Sequence, residues 1–266
     1  MKTKRLGILG VIAILPAFAQ VSSAPSSMET PSPRQHRPIR DRVDHGDGTT
    51  TSSNWSGYAV LGTSFTSAKG SWTVPPATCI SGDQYAAFWV GIDGYETNSD
   101  TVEQTGTDSD CDGRNPSYYA WYEFYPKGSF NIGSLTIKPG DEMSASVTYN
   151  GSEFTITIED VTTGKSFTKS ETVASAKRSS AEWIAEAPSS EFSVLPLADF
   201  GTVLFGKDST GVSGTNEATD SSTSGDIGSF STIEQINMAK KNKTKEATTS
   251  GLSGDGTSFS VLWISK

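Results

Sequence analysis

Short runs of alternating or apolar residues recur through residues 53–266, and each run is bounded by Gly, Asp, Asn, Ser or Pro. The runs are rich in Val, Ile, Thr and aromatic residues, which suit half-buried strands. The predicted strands are Trp55–Leu61, Ala86–Asp93, Tyr118–Tyr125, Met143–Tyr149, Phe154–Val161, Ala181–Ala187, Val203–Phe205 and Phe259–Ile264. No amphipathic helical stretch of useful length is present. The pattern therefore predicts a single all-β domain, an antiparallel sandwich or barrel.

Several of these runs place a carboxylate or an amide among aromatic or apolar side chains on one face. Because residues two apart in a strand share a face, Trp89 lies with Asp93, and Trp121 lies with Glu123. The other such sets are Val102 with Gln104, and Glu182 with Ile184 and Glu186. A concave face of this kind would suit an extended polymer, with carboxyl groups as acids or bases. The alternative is an ordinary solvated sheet face.

The first 19 residues are predicted to be a signal peptide. Lys2, Lys4 and Arg5 precede an apolar run from Leu6 to Phe18, and small residues follow. This order is typical of secretory signals, and the run is too short for a comfortable membrane span. We therefore expect a secreted, extracellular protein.

Residues 20–52 are rich in Ser, Pro and Arg and contain almost nothing to bury. Such a segment is expected to be disordered on its own. We interpret it as a cleaved propeptide, with a flexible linker as the alternative. Its arginines could pair with carboxylates of an acidic domain and release them on acidification; they are Arg34, Arg37, Arg40 and Arg42.

Histidine and charge exclude several classes of function. The only histidines are His36 and His45, so residues 53–266 contain no imidazole. Hydrolases with a histidine base and zinc sites built on histidine are therefore excluded for that domain. The domain holds 14 basic and 26 acidic side chains, a formal net charge of −12. This balance disfavours nucleic acid and anionic membranes as partners and suits a protein that works in acid.

Two local features concern cross-links and metals. Cys79 and Cys111 are the only cysteines, and in an exported chain they favour one disulfide, with two free buried thiols as the alternative. Residues 108–113, including Asp108, match the first six positions of a calcium loop. Position twelve is Tyr119 where a bidentate glutamate is required, and no helices flank the segment. No metal and no cofactor are therefore expected.

Seven segments in order resemble the glutamic peptidases, or eqolisins. They are SNWSGYAV (53–60), FWVGIDG (88–94), EQTG (103–106), AWYEFYP (120–126), DVTTG (160–164), AEWIAE (181–186) and LADFG (197–201). The resemblance implies a β-sandwich of two antiparallel sheets, of the concanavalin A-like or jelly-roll type. It also implies a secreted, monomeric acid endopeptidase that acts on protein or peptide substrates without a metal and is made with its own propeptide.

The same resemblance assigns site residues. The glutamine of Gln-Thr-Gly is Gln104, and the second glutamate of AEWIAE is Glu186; together they would form the catalytic pair. The residues expected near the active site are Trp55, Trp89, Asp93, Asp108, Trp121 and Glu123. The segment from 206 to 242 has no close match in the family, and the cysteine positions also differ from those of familiar fungal members.

Two other classes of function stay open at this level. A glycoside hydrolase or polysaccharide lyase on a similar sandwich could use Glu123 and Glu186 as acid and base. A carbohydrate- or protein-binding module would bind without turnover. The glutamine motif disfavours the glycoside hydrolase or lyase, and the predicted propeptide disfavours the binding module.

Overall fold

The computed structural model describes residues 29–206 and 216–266, so the predicted signal peptide at 1–19 lies outside the described residues. Strands dominate the described chain, and its only helical element is a 3₁₀ turn at Ile227–Ser229. The strands are β1 Glu29–Pro31, β2 Val43–Asp44, β3 Thr49–Ser52, β4 Trp55–Leu61, β5 Ser67–Thr73, β6 Ala87–Ile92, β7 Val102–Asp112, β8 Asn115–Tyr125, β9 Phe130–Ile132, β10 Glu142–Tyr149, β11 Phe154–Asp160, β12 Lys165–Glu171, β13 Ser180–Glu186, β14 Thr202–Phe205, β15 Glu217–Thr219, β16 Ser224–Asp226, β17 Ile233–Ala239, β18 Lys245–Thr249 and β19 Phe259–Trp263. All eight predicted strands are present, with ends shifted by a few residues.

The strands form a β-sandwich, as predicted. One layer runs β12-β11-β10-β5, and the other runs β17-β4-β13-β6-β7-β8-β9. Strands β14, β19 and β18 connect the two layers through hydrogen-bonded pairs. Strands β10 and β11 lie across β6 and β7. The layers are curved parts of one hydrogen-bonded network, which leaves few free edges between them.

The alternation predicted for the central strands is confirmed. Phe88, Val90 and Ile92 belong to the large core cluster, whereas Trp89 belongs to a second apolar cluster on the opposite face of the sheet. Trp183 likewise faces the large core and Ile184 the second cluster. The second cluster is built around three buried tryptophans and forms the floor of the candidate site.

Residues 29–52 lie against the domain as an ordered strap. Strand β1 pairs antiparallel with β9, and β3 pairs in parallel with β17. Between them, Ile39 donates its amide to the Gly94 carbonyl at 3.0 Å. The disorder expected for this segment in isolation is offset here, because main-chain hydrogen bonds to the domain replace the apolar core that the segment lacks.

The predicted cross-link is present: Cys79 and Cys111 form a disulfide with a Cα separation of 5.5 Å. It ties the loop after β5 to the far end of β7. The described parts of the chain contain no helix with the length and apolar character needed to cross a bilayer.

Candidate active site

The candidate site lies on the outer face of β4, β13, β6, β7 and β8, which are consecutive neighbours in the sheet. Because side chains alternate along each strand, this face collects one set of residues from five strands. They are Trp55, Trp89, Gln104, Trp121, Glu123 and Glu186, all with 0% of their surface exposed. The sheet thus brings together residues far apart in sequence.

Gly106 makes room for the tryptophans of this face. It pairs with Trp89 on one side and with Trp121 on the other. A Cβ at this position would collide with the Phe88 carbonyl oxygen and with the Trp89 side chain. Glycine is therefore required by close packing at the third position of the Gln-Thr-Gly motif.

Gln104 is held by Glu123, its partner on the neighbouring strand. The Gln104 Nε2 donates to Glu123 Oε2 at 3.1 Å and also to the main-chain carbonyl oxygen of His36. Glu123 Oε2 accepts the His36 amide as well, at 2.9 Å. Burial raises the pKa of Glu123 well above its usual range. Glu123 therefore orients the amide of Gln104 toward a peptide carbonyl.

Glu186 is held from the other side of the site. The Trp89 indole Nε1 donates to Glu186 Oε2 at 2.8 Å, and both this indole and the nearby Arg37 amide oppose the rise in the pKa of the carboxyl group. Burial, and then the negative charge of Glu123, raise the pKa of Glu186 well above its usual range. Among the described residues, Oε1 of Glu186 and Oε1 of Gln104 have no hydrogen-bond partner, so both remain available to a reacting molecule.

His36 fills the space between these side chains. Its imidazole stacks on Trp121 with ring centroids 3.5 Å apart and planes within 4°. Its Nδ1 lies 3.3 Å from Glu186 Oε2. Burial, and then the charge of Arg34, lower the pKa of His36 well below its usual range. Together with the raised pKa of Glu186, this shift favours the neutral forms of both groups.

Sequence reasoning missed the position of His36, since it treated the histidine only as part of a removable segment. A signal was nevertheless present. Pro33 and Pro38 flank the stretch and favour extended backbone before each proline. Within it, His36 offers a flat ring that can stack on an exposed aromatic side chain.

Asp108 and Asp110 form a polar corner at the edge of the site. The Tyr119 hydroxyl lies 2.7 Å from Asp108 Oδ2 and 2.8 Å from Asp110 Oδ2. Arg34 pairs with Asp110 at 3.1 Å. Burial raises the pKa of Asp108 well above its usual range and that of Asp110 to about 6. Both carboxyl groups, which belong to β7, therefore hold Tyr119, and Asp110 also holds Arg34. The segment from 108 to 112 is extended strand rather than a calcium loop.

Arg34 is the strap arginine that pairs with a carboxylate of the domain. Arg37 instead donates to Gln35 and to the Glu191 carbonyl oxygen, and Arg42 donates to the Tyr95 carbonyl oxygen. The pairing of basic strap residues with domain carboxylates is thus concentrated at one end of the site.

Asp93 lies away from Gln104 and Glu186. Its amide donates to the Ser180 carbonyl, and its carboxylate accepts the amides of Arg178 and Ser179. Ser180 precedes Glu186 by six residues on β13, which corresponds to about 20 Å along a strand. The structure therefore places Asp93 at the opposite end of the sheet, where it holds the turn before β13.

A second group of buried carboxyl groups surrounds this end. Glu103 and Glu182 are both fully buried. Burial, and then the negative charge of Asp93, raise the pKa of Glu103 and of Glu182 well above their usual range. Neither carboxyl group finds a hydrogen-bond partner among the described residues. These two glutamates are best accommodated when protonated.

We expect the melting temperature to fall as the pH rises from about 4.3, the ordinary glutamate pKa, toward neutral. Glu103 and Glu182 keep their protons to higher pH in the folded chain than in the unfolded chain. The stability they contribute is therefore complete below the unfolded pKa and is lost as the pH rises through the folded pKa. Thermal unfolding measured at steps of pH across this range gives the slope of melting temperature against pH.

The double variant Glu103→Gln, Glu182→Gln is expected to flatten this slope, because neither amide ionises. Glu159→Gln, at an exposed position on β11, is the matched control and should keep the slope of the parent protein. Equal slopes for the double variant and the parent would contradict the assignment, whatever their absolute melting temperatures.

The arrangement joins a carboxyl group, an amide donor and aromatic walls around a main-chain peptide. In the described residues, no three His, Cys, Asp or Glu side chains are grouped so that they could hold a metal ion. The chemistry that these groups can perform is proton transfer by Glu186 and stabilisation of negative charge on an oxygen by Gln104.

The domain that carries this site is similar to known proteins. The Peptidase A4 family model matches residues 53–261. Aspergillopepsin-2 of Aspergillus niger is 34% identical over 185 residues, covering 60% of this chain and 65% of that protein. Scytalidopepsin B of Scytalidium lignicola is 36% identical over 167 residues, covering 58% of this chain and 62% of that protein. The match thus spans slightly less than two thirds of these curated relatives.

The fold is also similar to solved structures. Scytalido-glutamic peptidase in complex with a peptide-based transition state analog is 28% identical and superimposes with a TM-score of 0.65. That comparison covers 80% of this chain and 98% of the solved chain. The sandwich fold is therefore common to both over most of this chain.

Proposed function

Since this chain belongs to the Peptidase A4 family, we propose that it is a secreted acid endopeptidase in which Glu186 activates water and Gln104 stabilises the oxyanion. The observation that carries the proposal is the peptide between His36 and Arg37. Its carbonyl accepts a hydrogen bond from Gln104, and the His36 ring Nδ1 lies 3.3 Å from Glu186 Oε2. A site that binds a peptide carbonyl through an amide donor, with a carboxyl group beside the same residue, suits peptide hydrolysis.

The proposed reaction starts from ionised Glu186. The carboxylate takes a proton from a water molecule, and the resulting hydroxide attacks the scissile carbonyl carbon. Gln104 donates its amide hydrogen to the oxygen on which negative charge develops. Glu186 then returns the proton to the leaving amine as the carbon–nitrogen bond breaks. Glu123 and Trp89 act as positioning residues, because they hold Gln104 and Glu186 by hydrogen bonds.

A carboxylate suits an acidic working range. Burial with the strap in place raises the pKa of Glu186; once the strap has left, water reaches the group and its pKa falls toward the ordinary value near 4.3, whereas an imidazole base would already be protonated in acid. Peptides as the substrate class are supported by the relative whose structure holds a peptide-based transition state analog. The aromatic walls supply apolar contact on either side of an extended chain.

Residues 20–52 are proposed to act as a propeptide that is removed from residues 53–266. Its described part, 29–52, covers Gln104 and Glu186 so completely that neither has exposed surface. A protein substrate can reach them only when this strap has left. The signal peptide proposed for residues 1–19 would direct the chain out of the cell.

The decisive assay follows casein or haemoglobin hydrolysis from acid to neutral pH after incubation of the chain in acid. Pepstatin, an inhibitor of aspartic peptidases, is present throughout. We expect pepstatin-resistant proteolysis confined to acidic pH. Release of reducing sugar from polysaccharides without proteolysis would instead favour the glycoside hydrolase alternative, and binding without turnover would favour a binding module.

A further inference from the structure

Between β1 and β2 the strap crosses the candidate site as irregular chain, with one isolated antiparallel bridge from Gln35 to Ser189. Gln35 and Ser189 exchange two main-chain hydrogen bonds, each 2.9 Å long. This pairing adds the strap to the domain in the way an extended peptide adds to a strand edge. On the other side of His36, the Arg37 carbonyl accepts the Trp55 indole Nε1 at 3.1 Å. The strap is therefore held by its backbone on both sides of the catalytic pair.

The peptide bond between His36 and Arg37 occupies the centre of this arrangement. The His36 amide is bound by Glu123 at 2.9 Å, and the His36 carbonyl is bound by Gln104. The backbone amide of Arg37 is near enough to Glu186 to oppose the rise in its pKa, and Glu186 Oε2 lies 3.3 Å from the His36 ring Nδ1. The carbonyl thus faces the proposed oxyanion donor, with the proposed proton donor beside the same residue.

The side chains of the strap also fit distinct contacts. His36 lies flat on Trp121. Two residues earlier, Arg34 pairs with Asp110 and lies 4.4 Å over the Tyr85 ring. Two residues after Arg37, Ile39 packs against the second apolar cluster. The contacts extend over six residues with His36 at the deepest point, as expected for a bound substrate rather than a loosely attached tail.

Resting on the proposed function, we propose that the His36–Arg37 bond is the first bond that this enzyme cuts in its own chain, within the same molecule. Trp121 then provides a flat stacking surface, the shelf, for the side chain of the residue before the scissile bond. Water adds to the His36 carbonyl carbon as Glu186 takes its proton. The carbon–nitrogen bond then breaks, and Glu186 passes the proton to the Arg37 nitrogen. The products are a carboxyl group on His36 and a free amine on Arg37.

The test holds the full chain in steps between about pH 7 and about pH 4, because burial under the strap raises the pKa of Glu186 and the cut needs its ionised form. Mass spectrometry and N-terminal sequencing follow the products at several protein concentrations. We expect the larger first fragment to begin at Arg37 and to form at a rate that does not depend on protein concentration. Glu186→Gln should leave the bond intact.

Paired histidine variants test the shelf. His36→Ala removes the ring from Trp121 and should slow this cut by about tenfold, the scale of a buried ring pair. His45→Ala is the matched control, because His45 is exposed and its ring hydrogen-bonds to Thr51, outside the candidate site. The His45→Ala chain should be cut at the parental rate. Equal rates for His36→Ala and the parent would overturn the shelf assignment.

A synthetic peptide with the sequence of residues 32–42 provides a second measurement that does not depend on refolding of any variant. Acid-treated enzyme should cut it between histidine and arginine. Casein hydrolysis together with a different first cut, and no cut of this peptide bond, would overturn the inference while the proposed function stands. Absence of hydrolysis of casein and peptide alike would overturn the proposed function itself.

Discussion

Glu186→Gln is expected to lower the rate of acid proteolysis by about 1000-fold or more, within the range that a positioned acid–base group contributes. Glutamine keeps the shape of the side chain and can still accept the Trp89 indole hydrogen that Glu186 Oε2 accepts at 2.8 Å. It cannot take a proton from water or return one to the leaving amine. The measurement is kcat/KM on a peptide substrate in acid.

The strap must be removed from this variant before the assay, because an uncut strap would also block activity. A small amount of tagged parental enzyme can cut the untagged variant and then be withdrawn on an affinity resin. Glu159→Gln, treated in the same way, should keep parental activity since that residue is exposed on β11. Parental activity in Glu186→Gln would remove this glutamate from the mechanism.

Gln104→Ala is expected to lower kcat by about 100- to 1000-fold, as loss of one oxyanion donor does. The loss should fall mainly on kcat, because the amide acts most strongly when charge develops on the carbonyl oxygen. Gln104→Asn tests whether the length of the side chain matters. It keeps an amide but shortens the side chain that in the parent extends to the His36 carbonyl.

Both Gln104 variants are expected to fold, and their melting temperatures should be compared with that of the parent. Removal of the amide leaves buried Glu123 with the His36 amide as its remaining hydrogen-bond donor. A raised KM with unchanged kcat would show that Gln104 only binds substrate and would contradict its role as oxyanion donor.

Much of the sheet could be predicted, because side-chain direction in a strand is a local property. The two-residue period placed Phe88 in the core and Trp89 on the opposite face, as the structure confirms. The two-residue period does not determine which strands are neighbours in the sheet. It therefore gave no reason to bring Gln104 on β7 near Glu186 on β13; only the resemblance of two motifs suggested that partnership.

Residues that depend on long-range packing were harder to place. Asp93 has the right residue type and shares a face with Trp89, yet strand register carries it to the far end of β13. Glu103 and Glu182 gave no sign in the sequence that they would be buried together. Their raised pKa values arise from burial and from charges on other strands.

The amino-acid sequence by itself determined the all-β class, the acidic domain without histidine and a pair of cysteines able to cross-link. These follow from composition and local periodicity, which need no knowledge of neighbours. Only the tertiary structure decided that Trp121 meets His36, that Gln104 meets a peptide carbonyl and that the strap lies over Glu186. Those contacts join residues 68 to 150 positions apart, and strand order and register, not local preference, determine which of them meet.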